Sequence, residues 1–235
     1  MLNKEYMLKQ TKFHSLGIID YKECWDYQET LFNEILFQKR EEKKEILNHL
    51  IFCEHPHVYT LGKSGSEDNM LINYIQLQAK NATFHKINRG GDITYHGPGQ
   101  LVGYPILNLT AFNLGIREYI HSLEEAIIIS LNHFNLNATR LEGAIGVWLD
   151  ADNPKKVRKI CAIGVRTSHW VSMHGFAFNI NTDLDYFKHI NPCGFTDKAV
   201  TSLEKELGKE QDFNYVSEIV KENLQSVFKF EFISL

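Results

Sequence analysis

The sequence predicts an α+β fold in which a mixed β-sheet is flanked by helices. Three segments repeat apolar residues at helical spacing, and short runs rich in β-branched and aromatic residues lie between them. Strands and helices do not alternate regularly, which argues against a parallel sheet built from βαβ units. No internal repeat, low-complexity tract or linker interrupts the pattern, so we predict one domain over residues 1–235.

Each predicted helix is identified by an apolar stripe. The first stripe comes before the charged run at 39–45 and comprises Cys24, Tyr27, Leu31 and Ile35. The second comprises Ile116, Ile120, Leu123, Ile127 and Leu131. The third, near the C-terminus, comprises Val216, Ile219, Val220 and Leu224.

The sheet is predicted from seven strand-like runs at 51–54, 58–61, 84–87, 101–109, 144–149, 159–165 and 171–180. We expect the last two to form a hairpin that turns through residues 166–169. A shorter strand-like core, Ile93-Thr94-Tyr95, lies within a glycine-rich segment.

Bulk composition excludes several classes of protein. The net charge of −4 argues against a general nucleic-acid binder, which usually carries a basic surplus. The sequence contains no apolar run long enough to span a membrane, and the charged N-terminus does not resemble a secretion signal. The four cysteines are widely spaced, which favours a reducing cytoplasm over a disulfide scaffold. We therefore expect a cytoplasmic protein with neither nucleic acid nor membrane as a partner.

The segment Arg89–Gly103 contains five of the 15 glycines, at positions 90, 91, 97, 99 and 103. Such density marks tight turns or a backbone that another group approaches closely. One interpretation is a plain loop between strands. The other is the wall of a substrate pocket, favoured by the directing polar groups Arg89, Asp92, His96 and Gln100.

Two other motifs do not support their usual functions. Gly62-Lys63-Ser64 ends like a phosphate-binding loop, but His57 occupies the position of the required first glycine. Cys53, His55 and His57 alternate, so a strand would place them on one face, as metal ligands could be. A zinc site normally needs a fourth ligand and supporting contacts, so we predict packed or pocket-lining histidines, no metal and no cofactor.

Cys193 is the candidate nucleophile, because Pro192 and Gly194 would present its side chain at a tight turn. The alternative is a buried structural cysteine. A histidine could activate the thiol, with His96, His174 and His189 as candidates. Lys159 is another activator, and Cys161 is a rival thiol beside it. An ammonium ~4 Å from the sulfur at an effective dielectric of about 20 favours the thiolate by roughly 4 kcal/mol, or roughly three pKa units.

Four blocks of the chain together resemble the lipoyl(octanoyl) transferases, in that family's order. They are RGGDITYHGPGQLVGYPILNL (89–109), KICAIGVR (159–166), MHGFAFNIN (173–181) and NPCGFTDKAVTSLEKELG (191–208). The resemblance covers nearly the whole chain. It implies the catalytic-domain fold shared by lipoate and biotin protein ligases.

The resemblance also implies an activity and its partners. Members move an octanoyl group from octanoyl-acyl carrier protein to a lysine on lipoyl domains of 2-oxo acid dehydrogenases and of the glycine cleavage H protein. The family's acyl-thioester cysteine corresponds to Cys193, and the lysine that tunes it to Lys159. The substrate-binding segments correspond to Arg89, Gly90, Gly91, Asp92, Ile93, Thr94, Tyr95 and His96, to Ala162, Ile163 and Gly164, and to Gly175, Phe176 and Ala177.

Three rival functions remain at this stage. An ATP-dependent lipoate or octanoate ligase would share the scaffold, but the Pro-Cys-Gly context disfavours it. An amidotransferase would move octanoyl groups between protein lysines through its own cysteine. The third rival is a catalytically silent acyl-binding or carrier-binding module.

Overall fold

The computed structural model describes residues 9–43, 45–191 and 199–233. Its helices are α1 (Tyr21–Arg40), α2 (Tyr74–Ala79), α3 (Leu109–Phe112), α4 (Ile116–Asn132), α5 (Leu203–Leu207) and α6 (Phe213–Phe228). Short 3-10 turns occur at Glu67–Asn69 and Leu184–His189. The strands are β1 (Lys9–Ile18), β2 (Asn48–Glu54), β3 (Val58–Leu61), β4 (Thr83–Lys86), β5 (Ile93–His96), β6 (Gln100–Ile106), β7 (Ala138–Leu141), β8 (Ala144–Leu149), β9 (Arg158–Ser168), β10 (Val171–Asn179), β11 (Ala199–Val200) and β12 (Phe230–Phe232).

The larger sheet is mixed, with the order β12-β1-β2-β6-β10-β9-β8-β7. β1 runs parallel to β12 and β2, whereas the pairs from β2 to β7 are antiparallel. The short β11 adds to β9 in parallel orientation. A second, smaller sheet has the order β4-β3-β5. The predicted α+β class with a mixed sheet is confirmed.

The predicted helical stripes become the faces that cover the large sheet. Cys24, Leu31 and Ile35 of α1 are buried against one face, and Asp20 caps this helix by accepting a 2.8 Å hydrogen bond from the Lys22 amide. α4 and α6 pack against the other face, in the largest apolar cluster of the described residues. Ile116 departs from its predicted stripe and is exposed, because it occupies the first helical position.

The predicted hairpin forms, but its turn is shorter than expected. β9 continues through Ser168, which pairs with Val171, and only His169 and Trp170 form the turn. Both have positive φ, at 49° and 60°, the conformation of a two-residue turn that matches strand twist. The expected turn over residues 166–169 is therefore wrong by about two residues.

The apolar run at 101–109 also ends as a strand earlier than predicted. β6 stops at Ile106, and the Asn108 amide donates a 2.8 Å hydrogen bond to the Asn48 side chain. This contact redirects the backbone, and Leu109 then begins α3. Sequence reasoning did not assign β1, β7, β11, β12, α2, α3 or α5.

Two further expectations concern the chain as a whole. None of the described helices combines the length and the apolar character needed to cross a bilayer. One domain over residues 1–235 stays a prediction.

Candidate active site

The start of the glycine segment is held between the two sheets by the buried side chain of Arg89. Its Nη2 atom donates to the Thr60 backbone oxygen at 2.7 Å and to Thr60 Oγ1 at 3.0 Å. Nη1 donates to the Gly90 oxygen at 3.0 Å, and the Gly90 amide donates to the Val165 oxygen in β9 at 2.9 Å. Arg89 therefore fixes the loop between β3 and β9.

The tripeptide Gly62-Lys63-Ser64 supports this loop from behind. Its three amides donate to the backbone oxygens of Asp92, Arg89 and Gly91 at 3.3, 3.0 and 3.2 Å respectively. These amides bond the chain's own carbonyl groups, so the tripeptide positions the glycine segment. Sequence reasoning examined these residues only as a phosphate-binding motif and missed this role.

The other two predicted binding segments are paired strand residues. Ala162, Ile163 and Gly164 of β9 lie opposite Ala177, Phe176 and Gly175 of β10. A Cβ atom on Gly175 would lie 2.1 Å from the Gly103 oxygen, so β10 and β6 approach too closely for a side chain there. The hydrogen bond from the Gly90 amide to the Val165 oxygen places the glycine segment beside β9. All three predicted binding segments therefore lie together.

Of the two paired strands, β9 is the one that is accessible to solvent at this meeting point. Every residue from Ala162 to Ser168 is half-buried, whereas β10 is buried throughout. Phe176 and Phe178 are 2% and 0% exposed and belong to the main core. Of the apolar residues Ile163, Phe176 and Phe178, only Ile163 lies on the accessible strand.

Most side chains of β5 are buried. Ile93 and Tyr95 belong to the apolar cluster of the small sheet, and Tyr95 stacks on Tyr186 with ring centroids 4.9 Å apart. Thr94 is half-buried, and Gly91 is exposed. Of the predicted segment 89–96, residues 90–92 and 94 therefore keep access to solvent.

His96 is buried and held by neutral partners. Its Nδ1 atom lies 2.8 Å from Gln100 Oε1, and its ring stacks on Tyr21. Burial lowers the pKa of His96 to about 3. Burial also lowers the pKa of His174 to about 3, and its Nε2 atom lies 2.7 Å from Asn88 Oδ1. Both imidazoles are neutral at pH 7, which makes them poor counter-charges for a thiolate.

Lys159 lies near the start of β9, just before the β-bulge at which the pairing of β9 with β8 shifts register. Its Nζ atom is 4.6 Å from the centroid of the Trp148 ring, within the range of a cation–π contact. Its Cε atom lies 3.3 Å from the position that a Cβ atom on Gly146 would occupy. The Gly146 amide in turn donates to the buried carboxylate of Glu124 at 3.0 Å. Sequence reasoning missed Glu124, Gly146 and Trp148, because no motif contains them.

Cys193 lies outside the described residues, but the residues on both sides of its segment contact the site. The Asn191 amide donates to the Asn69 oxygen at 2.8 Å, and the Asn69 side chain donates to Asp92 Oδ2 at 2.6 Å. On the other side, Val200 of β11 pairs with Lys159, and the Thr201 amide donates to the Lys159 oxygen at 2.9 Å. These contacts lead to the glycine segment and to the strand of the candidate lysine.

The rival thiol Cys161 is fully buried in the main core. Burial raises the pKa of Cys161, and the neighbouring Lys159 cation only partly opposes the shift. A protonated, inaccessible thiol is a poor nucleophile. The geometry therefore disfavours Cys161 in that role.

Known proteins with related sequences decide the family. The model of the lipoyl protein ligase A/B catalytic domain matches residues 20–225. The octanoyltransferase of Christiangramia forsetii is 54% identical over 231 residues, covering 96% of this chain and 98% of the relative. The octanoyltransferase of Flavobacterium psychrophilum is 57% identical over 210 residues, covering 87% and 90%. The chain belongs to the octanoyltransferase family.

The octanoyltransferase family shares its fold with lipoate ligases. A lipoate protein ligase of Thermoplasma acidophilum, solved in a study of an archaeal lipoylation system, superposes with a TM-score of 0.71 at 13% identity. The superposition covers 96% of this chain and 86% of the ligase. The predicted ligase-type catalytic fold is confirmed. Since octanoyltransferases are acyltransferases, the prediction of an acyltransferase enzyme is also confirmed.

Proposed function

We propose that this enzyme transfers an octanoyl group from octanoyl-acyl carrier protein to a lysine of lipoyl domains, through a thioester on Cys193. The acceptors are lipoyl domains of 2-oxo acid dehydrogenases and the glycine cleavage H protein, and no cofactor is needed. The observation that carries the proposal is the pairing of Val200 with Lys159. It brings the chain that follows Cys193 to the strand of the candidate lysine, in a member of the octanoyltransferase family.

In the first step, the Cys193 thiolate attacks the carbonyl carbon of the carrier-bound thioester. The carbon–sulfur bond to the pantetheine breaks, and the pantetheine sulfur leaves as a thiolate and takes a proton from the Lys159 ammonium. One thioester replaces another, so the step needs no ATP. The Lys159 cation favours the thiolate over the thiol, by the same Coulomb energy of roughly 4 kcal/mol at ~4 Å.

In the second step, the amine of the acceptor lysine attacks the thioester on Cys193. An amide forms, the Cys193 thiolate leaves, and the amine loses a proton. Acylation has removed the anion that stabilised the Lys159 cation, so the pKa of Lys159 falls and its neutral amine can accept that proton. Lys159 thus stabilises the Cys193 thiolate in the first step and accepts a proton in the second, and the loss of the thiolate charge on acylation changes its role.

The glycine segment and the half-buried residues of β9 form the binding surface in this proposal. Ala162, Ile163 and Gly164 present an accessible strip beside Gly90 and Gly91 for the octanoyl chain. The Gly90 amide already bonds the Val165 oxygen, so it is not an oxyanion donor. Amides of Gly91 and Gly194 are the candidates for that role.

The proposed function is tested by intact mass of the enzyme with two donors. We expect octanoyl-acyl carrier protein alone to add one octanoyl group, and peptide mapping to place it on Cys193. Free octanoate with ATP should yield neither adduct nor adenylate, whereas adenylate formation would indicate a ligase. An acyl group taken only from another protein's lysine would indicate an amidotransferase, and the absence of any adduct would indicate a binding module.

The Gly146→Ala substitution should slow this acylation by displacing Lys159. The new Cβ atom would lie 2.6 Å from the Cys161 oxygen and 3.3 Å from Lys159 Cε, so the lysine or its strand must move. Because misplacing a catalytic group by about 1 Å can cost about 10²-fold, we expect acylation to slow by roughly 10- to 100-fold. Stopped-flow acylation by octanoyl-acyl carrier protein measures the effect.

Gly143→Ala is the matched control for this substitution. Gly143 also has a positive φ, +76° against +124° for Gly146, but no atom lies within 4 Å of the position that its new Cβ atom would occupy. Both variants introduce backbone strain, and only the change at residue 146 crowds the lysine. Equal acylation rates for the two folded variants would show that this contact does not position Lys159.

A further inference from the structure

Three potential metal ligands from two distant parts of the chain meet behind the glycine segment. Cys24 lies on α1, Cys53 lies on β2, and His55 directly follows that strand. Their sulfur and Nε2 atoms all lie within 4.8 Å of one another, and all three residues are buried. From the sequence we considered Cys53, His55 and His57 as possible ligands and predicted no metal. His57 instead stacks on Tyr186 and its Nδ1 atom lies 2.7 Å from the Tyr95 hydroxyl.

The measured separations match two edges of a tetrahedral zinc site. With zinc–sulfur and zinc–nitrogen bonds of about 2.3 and about 2.0–2.1 Å, neighbouring sulfurs lie about 3.8 Å apart, and sulfur lies about 3.6 Å from nitrogen. The sulfur atoms of Cys24 and Cys53 are 4.0 Å apart, and Cys53 Sγ is 3.6 Å from His55 Nε2. The third pair, Cys24 and His55, has its ligand atoms within 4.8 Å, so side-chain movements of up to about 1.2 Å would place all three atoms on one ion.

A hydrogen bond on the other ring nitrogen of His55 favours metal binding by its Nε2 atom. His55 Nδ1 lies 2.8 Å from the backbone oxygen of Ile19, which can only accept a hydrogen bond. The proton is therefore on Nδ1, and the lone pair on Nε2 accepts a hydrogen bond from the Tyr104 hydroxyl at 2.8 Å, which an ion would replace. Metal-binding histidines usually have such a partner on the other ring nitrogen, because it fixes the tautomer and the ring orientation.

We propose that Cys24, Cys53 and His55 form a structural site for zinc or a similar thiophilic divalent ion. The Tyr104 hydroxyl lies 2.8 Å from His55 Nε2, so it is near enough to serve as a fourth ligand once Nε2 binds the ion. Binding exchanges two thiol protons for the dication. Two thiolates and one dication give a neutral complex, which suits a buried site.

The ion would join three elements of the fold. Cys24 belongs to α1, Cys53 lies in β2 with His55 directly after it, and Tyr104 belongs to β6. His55 also contacts His96, with ring centroids 6.0 Å apart, at the end of the strand that follows the glycine loop. A bound ion would therefore stabilise the residues that support the glycine segment. The acyl-transfer chemistry would be carried out by other residues.

The test measures metal content and thermal stability of the full chain, purified under reducing conditions. We expect about one zinc ion per chain by elemental analysis. Refolding with cobalt(II) alone should give the visible bands of a tetrahedral ion and a thiolate charge-transfer band. Because a ligand that binds only the native state stabilises it, metal removal should lower Tm by roughly 5–15 °C.

Variants locate the ion. Cys24→Ala and Cys53→Val, which keep these positions apolar, should each lose the charge-transfer band and the metal-dependent change in Tm. Cys161→Ala is the matched control, because it removes a buried cysteine outside the cluster and should retain both signals. Failure of the wild-type chain to bind zinc or cobalt would overturn the proposal. So would metal retention in the Cys24→Ala/Cys53→Val double variant.

Discussion

Replacement of Cys193 by serine should abolish the octanoyl adduct and lower the rate of octanoyl transfer by at least about 10³-fold, since removal of a covalent nucleophile typically costs this much or more. The physical reason is the proton on the nucleophile. A thiol with an unperturbed pKa near ~8.5 needs modest help to ionise at pH 7, and Lys159 can supply it. A serine hydroxyl is a far weaker acid, so the same cation leaves it protonated. The measurement is intact mass after mixing with octanoyl-acyl carrier protein, followed by the rate of lipoyl-domain octanoylation.

Cys161→Ala is the control for this experiment, because Cys161 is a buried thiol beside the candidate lysine. We expect this variant to form the adduct like the unchanged chain. Retention of the adduct by Cys193→Ser, or its loss in Cys161→Ala with the fold intact, would assign the nucleophile elsewhere.

Replacement of Lys159 by methionine should raise the pKa of the Cys193 thiol by up to roughly three units. The sign follows from charge, because a cation favours the thiolate and its removal favours the thiol. With an unperturbed thiol pKa near ~8.5, the thiolate fraction at pH 7 should fall from nearly all of the cysteine to roughly 3%, so acylation should slow by up to about 30-fold. Iodoacetamide alkylation of Cys193 as a function of pH, read by peptide mass, measures this pKa directly.

Lys159→Arg separates the two roles proposed for the lysine. Arginine keeps the positive charge but does not lose a proton in proteins, so it can stabilise the thiolate without accepting the proton of the acceptor amine. We expect a thiol pKa near that of the unchanged enzyme, with the second step slowed much more than the first. If both substitutions leave the alkylation profile unchanged, the cation does not act on Cys193.

Local sequence patterns predicted much of the secondary structure. The stripes of α1, α4 and α6 were recognisable because one buried face repeats every 3.6 residues, and β3 and β8 were predicted at their observed limits. β1 was missed because its ten residues contain few apolar side chains. That strand is stabilised by pairing with both β2 and β12, which is a property of the sheet order and leaves no local signal.

In the candidate site, too, some residues could be predicted from local sequence and others could not. Arg89 and Cys193 were candidates from the sequence because their glycine or proline neighbours are visible in the chain, and Lys159 was a candidate from its charge and from the family resemblance. The supports of Lys159 could not be predicted, since the bulge between β8 and β9 brings Gly146 and Trp148 to it only in the folded protein. The buried state of Cys161 likewise depends on helices that pack over the sheet.

Sequence alone determined which reactive groups this protein carries, its helical periodicity and its family, because each of these is written in residues close together along the chain. Only the tertiary structure decided which groups meet. The contacts of Gly90 with Val165, of Lys159 with Val200 and of Cys24 with Cys53 join residues far apart in sequence. Such contacts depend on the order and direction of the strands. These are set by burial of the whole apolar core, and no short segment of the sequence determines them.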